Sequence, residues 1–175
     1  MNIVIANRQR TRKINLRLLK QITNALLFEL KIEKAELGIN LVSAKEMAAA
    51  NRKFLQHEGS TDVITFSYAD NVEQASTLSR LQIQNPIDRL EACPTLRGEI
   101  FICVDEAIWQ AKKFKTAWQS EIVRYLVHGV LHLLGHDDRR AGAHRKMKRE
   151  ENRLLARLSK KFSLALIGGA SKLRA

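Results

Sequence analysis

Apolar positions along the chain fall into short alternating runs and longer stripes at helical spacing. Asn2 to Ala6 reads as a short strand, and Asn15 to Lys31 carries Leu19, Ile22, Leu26 and Leu30 on one helical face. Leu37, Ile39 and Leu41 alternate with Gly38 and Asn40, which predicts a half-buried strand. Ser43 followed by Glu46 predicts a capping box opening a helix from Ala44 to about Phe54. Val63 to Tyr68 and Gly98 to Val104 read as strands. Asp105 is placed to cap a helix reaching Phe114, a further helix runs from about Trp118 to Leu134, and a highly charged one from about Arg140 to Ser159. Between the last two strands, Ala69 to Arg97 holds both prolines, Pro86 and Pro94, and shows only one helical turn, near Leu78 and Leu81. It predicts a surface excursion, not a domain. The tail from Leu164 to Ala175 carries Gly168-Gly169 and predicts fraying. Strands and helices joined by short connections predict one α+β domain over residues 1–175, about four strands layered with about five helices.

Composition changes this picture in one respect. The 45% apolar and 27% charged residues are ordinary for a globular chain, but 30 Lys+Arg against 18 Asp+Glu leave a formal charge of +12. Such an excess points to a polyanionic partner, nucleic acid or an anionic surface. Arg8, Arg10, Arg12, Lys13, Arg17 and Lys20 crowd the start of the chain. Arg139, Arg140, Arg145, Lys146, Lys148 and Arg149 crowd the start of the last helix and are the better nucleic-acid candidates, with Arg52 a further one. Trp109 and Trp118 flank Lys112-Lys113-Phe114-Lys115; core packing is the expectation for both, with stacking on bases as the alternative. The opening Met1–Arg8 has only a four-residue apolar run, and no stretch approaches the ~20 apolar residues of a membrane helix. Two cysteines, Cys93 and Cys103, without CxxC spacing read as inert thiols in a reducing cytoplasm.

The chemistry concentrates in His128-Gly-Val-Leu-His132-Leu-Leu-Gly135-His136-Asp137-Asp138. Two histidines four apart on a helix are separated by ~400° of turn and ~6 Å of rise, so both imidazoles leave one face. Ile122, Val123, Leu126, Val127, Val130, Leu131 and Leu134 occupy the opposite half of the wheel, which makes theirs the packing face. His128 and His132 therefore predict a shared metal ion, and Gly135 a left-handed turn that swings the chain back. Asp138 can then supply a third ligand, with His136 and Asp137 as competitors. Three protein ligands leave a fourth position for water, the pattern of a catalytic zinc. A metalloprotease helix would carry Glu after the first histidine; here Gly129 stands there, which disfavours peptide hydrolysis and suits a phosphodiester substrate.

The same segment resembles the signature of the YbeY family, bacterial endoribonucleases of ribosomal RNA maturation. Ser60-Thr61-Asp62-Val63-Ile64-Thr65-Phe66 resembles that family's strand block, and Gly98-Glu-Ile-Phe-Ile-Cys-Val-Asp105 resembles its Gly-Asp-Ile-x-Ile-Cys block. The three blocks stand in the family's order from about Glu36 to Asp138, interrupted by 69–97. The resemblance implies a central mixed sheet, one zinc ion on the histidine helix and a single-stranded ribosomal RNA substrate at the 3′ end of the small-subunit RNA. It also implies a role in ribosome quality control, with the ribosome or its proteins as partners. Two of the family's histidine ligands fall on His128 and His132, and the third falls on Asp138, a departure that keeps a donor but adds negative charge. His136 stands where the family has Tyr; with Asp137 it is a candidate for proton transfer or for supporting the ligands. The family's cleft arginine is replaced, since the positions ahead of the Thr-Asp block read Phe54-Leu55. Two rival readings are a non-catalytic, ribosome-associated RNA-binding module with a vestigial zinc site, and a zinc hydrolase of another class.

Overall fold

The structure, a computed structural model, describes residues 1–56, 58–68 and 96–169. Strand β1 (Asn2–Asn7), helix α1 (Leu16–Glu29) and strand β2 (Ala35–Val42) form a β-α-β unit whose strands pair in parallel, from Asn2 opposite Glu36 to Asn7 opposite Leu41. Asn15 caps α1 by accepting the Leu18 amide at 3.0 Å. Strand β4 (Leu96–Cys103) runs parallel to β2, and β3 (Val63–Ser67) runs antiparallel to β4. Among the described residues the strands make one mixed sheet in the order β1-β2-β4-β3.

The period of two divides this sheet between two cores. Ile3, Leu37, Ile39, Leu41, Ile100 and Ile102 belong to the larger core, while Val42, Ile64 and Cys103 join Met47 in a smaller one. Met47 lies on α2 (Ala44–Ala50), opened by the expected capping box of Ser43 and Glu46. The helix continues as a single π turn over Asn51–Leu55, and the left-handed Gln56 ends it. The smaller core also buries the Cys103 thiol and pushes it up to about 11, so this cysteine is inert; Cys93 lies outside the described residues.

The histidine helix α4 (Trp118–Leu133) is the central packing element, with Ile122, Val123, Leu126, Val127, Val130 and Leu131 all buried. Gly129 makes its close approach to the sheet possible: a Cβ there would lie 2.7 Å from Ile100 Cγ2. Helix α3 (Val104–Phe114) precedes α4, and α5 (Ala141–Lys161) packs against it through Met147, Leu154 and Leu158. Arg157 and Lys161 of α5 both pair with Glu29 of α1 and hold its carboxyl at about 2.

Five sequence expectations change. Leu134, expected on the packing face of α4, lies just past the end of that helix and is 40% exposed. Asp105 lies inside the first turn of α3 and caps nothing there; its carboxylate accepts from Thr11 Oγ1 and from the Ala44 amide, each at 2.7 Å, so it ties three segments together. Trp109 is 52% exposed, because the buried stripe of α3 runs through Val104, Ala107 and Ala111; Trp118 packs on the core as expected. The start of the tail is not frayed: Leu164–Gly168 forms a 3₁₀ turn that buries Leu164 and Ile167, and the Ile167 carbonyl accepts from the Asn15 amide at 2.8 Å. Leu96 and Arg97 belong to β4 and not to the excursion, since β2 offers them partners. The rest of the excursion, 69–95, with its turn near Leu78 and Leu81, lies outside the described residues, as does 170–175.

Candidate metal centre and its surroundings

The last turn of α4 carries the site and ends as the sequence requires. Gly135 takes φ +84°, its amide donates to the His132 carbonyl at 2.9 Å, and the His136 amide donates to the Leu131 carbonyl at 3.0 Å. This pair of bonds turns the chain back across the histidines. Asp137 Oδ1 accepts from the Arg139 amide at 3.0 Å and shapes the next turn, which leaves Asp138 facing both rings.

His128 Nε2 and His132 Nε2 stand 2.9 Å apart, and Asp138 Oδ2 lies 3.9 Å from the first and 3.7 Å from the second. Two atoms bound to one ion at ~2.1 Å lie no more than about 4.2 Å apart, so all three distances fit a common ion. The outer ring nitrogens assign the protons. His128 Nδ1 faces the Glu151 carboxylate at 3.2 Å, and His132 Nδ1 faces the His136 carbonyl at 3.0 Å. Both partners are acceptors, so each Nδ1 carries its ring's hydrogen. Each Nε2 then turns a lone pair inward, beside the Asp138 carboxylate. A cation among the three atoms would satisfy both lone pairs and the carboxylate at once.

Glu151 is 3% exposed and is the hub beneath this group. Burial opposes its ionisation, but hydrogen bonds from His128, from Lys148 at 2.7 Å and from Arg124 at 2.6 Å prevail and hold it at about 2. Sequence reasoning missed it. Its signal was present: on α5 the buried stripe Met147, Leu154 and Leu158 has a carboxylate at 151 where an apolar residue belongs.

A cavity of about 300 Å³ opens beside His128 and Asp138, walled by Asp62, Tyr125, Met147 and Lys148. Burial, with Asp62 and Glu121 nearby, pushes the Tyr125 phenol up and keeps it a protonated donor. The other residues singled out from sequence are dispersed. Arg145 lines a groove on α5 together with His144 and Arg149, while the exposed Lys146 does not. Arg139 and Arg140 are exposed just beyond Asp138, Arg52 is exposed on the π turn, and the His136 side chain is exposed while its carbonyl serves His132.

The family model described as endoribonuclease YbeY matches residues 4–159, from β1 nearly to the end of α5. The chain belongs to the YbeY family. A relative in Syntrophotalea carbinolica, named endoribonuclease YbeY, is 30% identical over 162 residues, 91% of this chain and 97% of its own length. One in Frankia alni with the same name is 29% identical over 157 residues, 89% of this chain and 82% of its own. The solution structure of a Thermotoga maritima protein matches 99% of each chain with a TM-score of 0.60 at 18% identity, a likeness of fold. The YbeY match thus extends well beyond the blocks around Asp62, Gly98 and His128. No helix among the described residues is long and apolar enough to cross a membrane.

Proposed function

We propose that this member of the YbeY family is a zinc-dependent, single-strand-specific endoribonuclease. On this reading it acts in the cytoplasm in ribosomal RNA maturation, at the 3′ end of the small-subunit RNA, and in ribosome quality control. Its partners are ribosomal RNA and the ribosome or its proteins. The relatives named endoribonuclease support the activity, and the charge of +12 suits the substrate. The single observation that carries the metal reading is the inward convergence of two Nε2 lone pairs and one carboxylate oxygen within 4.8 Å.

His128, His132 and Asp138 would hold one zinc ion, a donor set of imidazoles and carboxylate that this metal accepts. Bound there, zinc supplies a Lewis acid for a phosphoryl oxygen and a more acidic water. The chain's own groups do the positioning. Glu151 and the His136 carbonyl hold the two rings in the tautomers that face inward. Asp137 shapes the turn that presents Asp138. His136 and Asp137 thereby act as supports for the ligands. Arg139, Arg140, Arg145 and the rest of the basic α5 start hold phosphates without reading sequence, Lys146 and Arg52 from further away.

His132→Ala, assayed for zinc by elemental analysis and for cleavage of single-stranded RNA, tests the reading. The parent protein should hold one zinc and cleave; the variant should fold, lose the zinc and cleave at least 100-fold more slowly. Full cleavage by metal-free protein overturns the reading. Zinc-loaded parent protein that binds RNA with steep salt dependence yet cleaves nothing leaves the non-catalytic RNA-binding module in its place.

A further inference from the structure

Two further hollows adjoin the metal cavity, and they differ in chemistry. One, of about 560 Å³, runs along α5 and is lined by His144, Arg145, Lys148, Arg149 and Asn152, with no carboxylate. Arg145 and Arg149 make no ion pair among the described residues. The other, of about 470 Å³, lies among α3, α4 and α5 and shares Asp62, Arg124, Tyr125 and Lys148 with the metal cavity. Lys148 lines all three hollows.

The second hollow is built for a different group. Its walls set the carboxylates of Asp62 and Glu121 beside the cations Arg124 and Lys148. Glu121 already accepts from Thr116 Oγ1 at 2.7 Å and pairs with Arg124. Asp62, which accepts from the Val63 amide through one oxygen, is therefore the carboxylate placed to accept from an N–H group of a base. The amides of Gln110 and Asn152 line it; Gln110 Nε2 donates to Glu106 at 3.4 Å, and among the described residues Asn152 is bonded through its oxygen alone, which accepts from Arg124 at 3.0 Å. Phe114 lines it and is 62% exposed, with Lys113 Nζ 5.4 Å from its ring centroid. Tyr125 is 4% exposed, lines the wall, and its hydroxyl has no hydrogen-bond partner among the described residues. A buried hydroxyl without a partner is costly unless a ligand supplies one.

We propose that the hollow bounded by Phe114, Gln110, Tyr125 and Asn152 is a nucleobase subsite, which takes the base of a nucleotide beside the metal cavity while the backbone lies along Arg145 and Arg149. This inference rests on the ribonuclease reading above. A base reaches such a hollow only from an unpaired strand, because a duplex keeps its bases stacked inside. The subsite therefore gives single-strand preference a physical origin in this chain.

The test couples protein and base. A labelled single-stranded RNA is bound to the full-length parent protein, to Phe114→Ala and to Asn152→Ala, and an abasic nucleotide is moved through the RNA one position at a time. Anisotropy reads the affinity. In the parent, an abasic nucleotide at one position should weaken binding fivefold or more, and Phe114→Ala should weaken intact RNA by a similar factor. The abasic loss should then disappear in both variants. An abasic penalty that is the same in the parent and in both variants at every position overturns the subsite, since RNA is still bound. A parent protein that neither binds nor cleaves any single-stranded RNA overturns the ribonuclease reading and the subsite with it. Phe114 and Asn152 are exposed, so neither variant endangers the fold.

Discussion

The two faces of α4 are held by different forces. The face toward the sheet is set by packing: Val127, Val130 and Leu131 are fully buried, and Gly129 lies so close to Ile100 that a methyl group does not fit. The face toward α5 is set by hydrogen bonds: Glu151 and the His136 carbonyl hold His128 and His132, which stay partly exposed. The difference explains the glycine where a metalloprotease helix has its glutamate. Position 129 faces the sheet here, and a Cβ there would already press on Ile100 at 2.7 Å with Val63 at 3.3 Å, so a glutamate has no room without moving the sheet. The missing carboxylate follows from the packing of the helix.

This comparison can be broken from either side. Gly129→Glu is expected to have the largest effect, because it forces a charged side chain against Ile100 and Val63. Overpacking costs about 1–3 kcal/mol and burying an unpaired charge adds to it. The variant should be insoluble or melt many degrees lower, and a melting curve equal to the parent's would sink the packing account. Glu151→Gln works on the other face. It should lower zinc affinity by about 10–100-fold, as the loss of such an orienting partner does, read by competition with a chelating dye. Unchanged affinity would show that His128 needs no orienting partner.

The smallest effect lies away from both faces, in the pairing of Glu29 with Arg157 and Lys161 that joins α1 to α5. Hydrogen bonds from Lys161 and Arg157 hold the Glu29 carboxyl at about 2, below its ordinary 4.5. Its contribution is therefore present above about pH 4.5 and is lost as pH falls toward 2. Glu29→Gln should lower the melting temperature slightly at pH 7, and the difference should shrink as pH falls through about 2. A difference that stays the same from pH 5 down to pH 2 would rule the ion pair out as its cause.

Much of the site was legible in one dimension because its determinants are local. The spacing of His128 and His132, the left-handed Gly135 and the Ser43–Glu46 capping box each depend on residues within one or two helical turns, and each stands as the pattern demands. The fold class followed from the same periodicities. Asp105, Trp109 and the 3₁₀ turn at Leu164–Gly168 did not follow, because their surroundings come from distant segments. Thr11 and Ala44 claim the Asp105 carboxylate, no other helix among the described residues covers Trp109, and the start of α1 pins Ile167.

The sequence by itself determined that two imidazoles share one helical face and that a flexible turn follows them, since helix pitch and glycine's conformational freedom are properties of the local chain. It also determined an excess of positive charge, but not where that charge would meet a substrate. Only the tertiary structure brought Glu151 under His128 from 23 residues away, and gathered Arg145, Lys148 and Arg149 beside the cavity while leaving Lys146 outside. Those choices depend on how α5 packs against α4. That packing is decided by burial of Met147, Leu154 and Leu158 across the whole core, which no local pattern encodes.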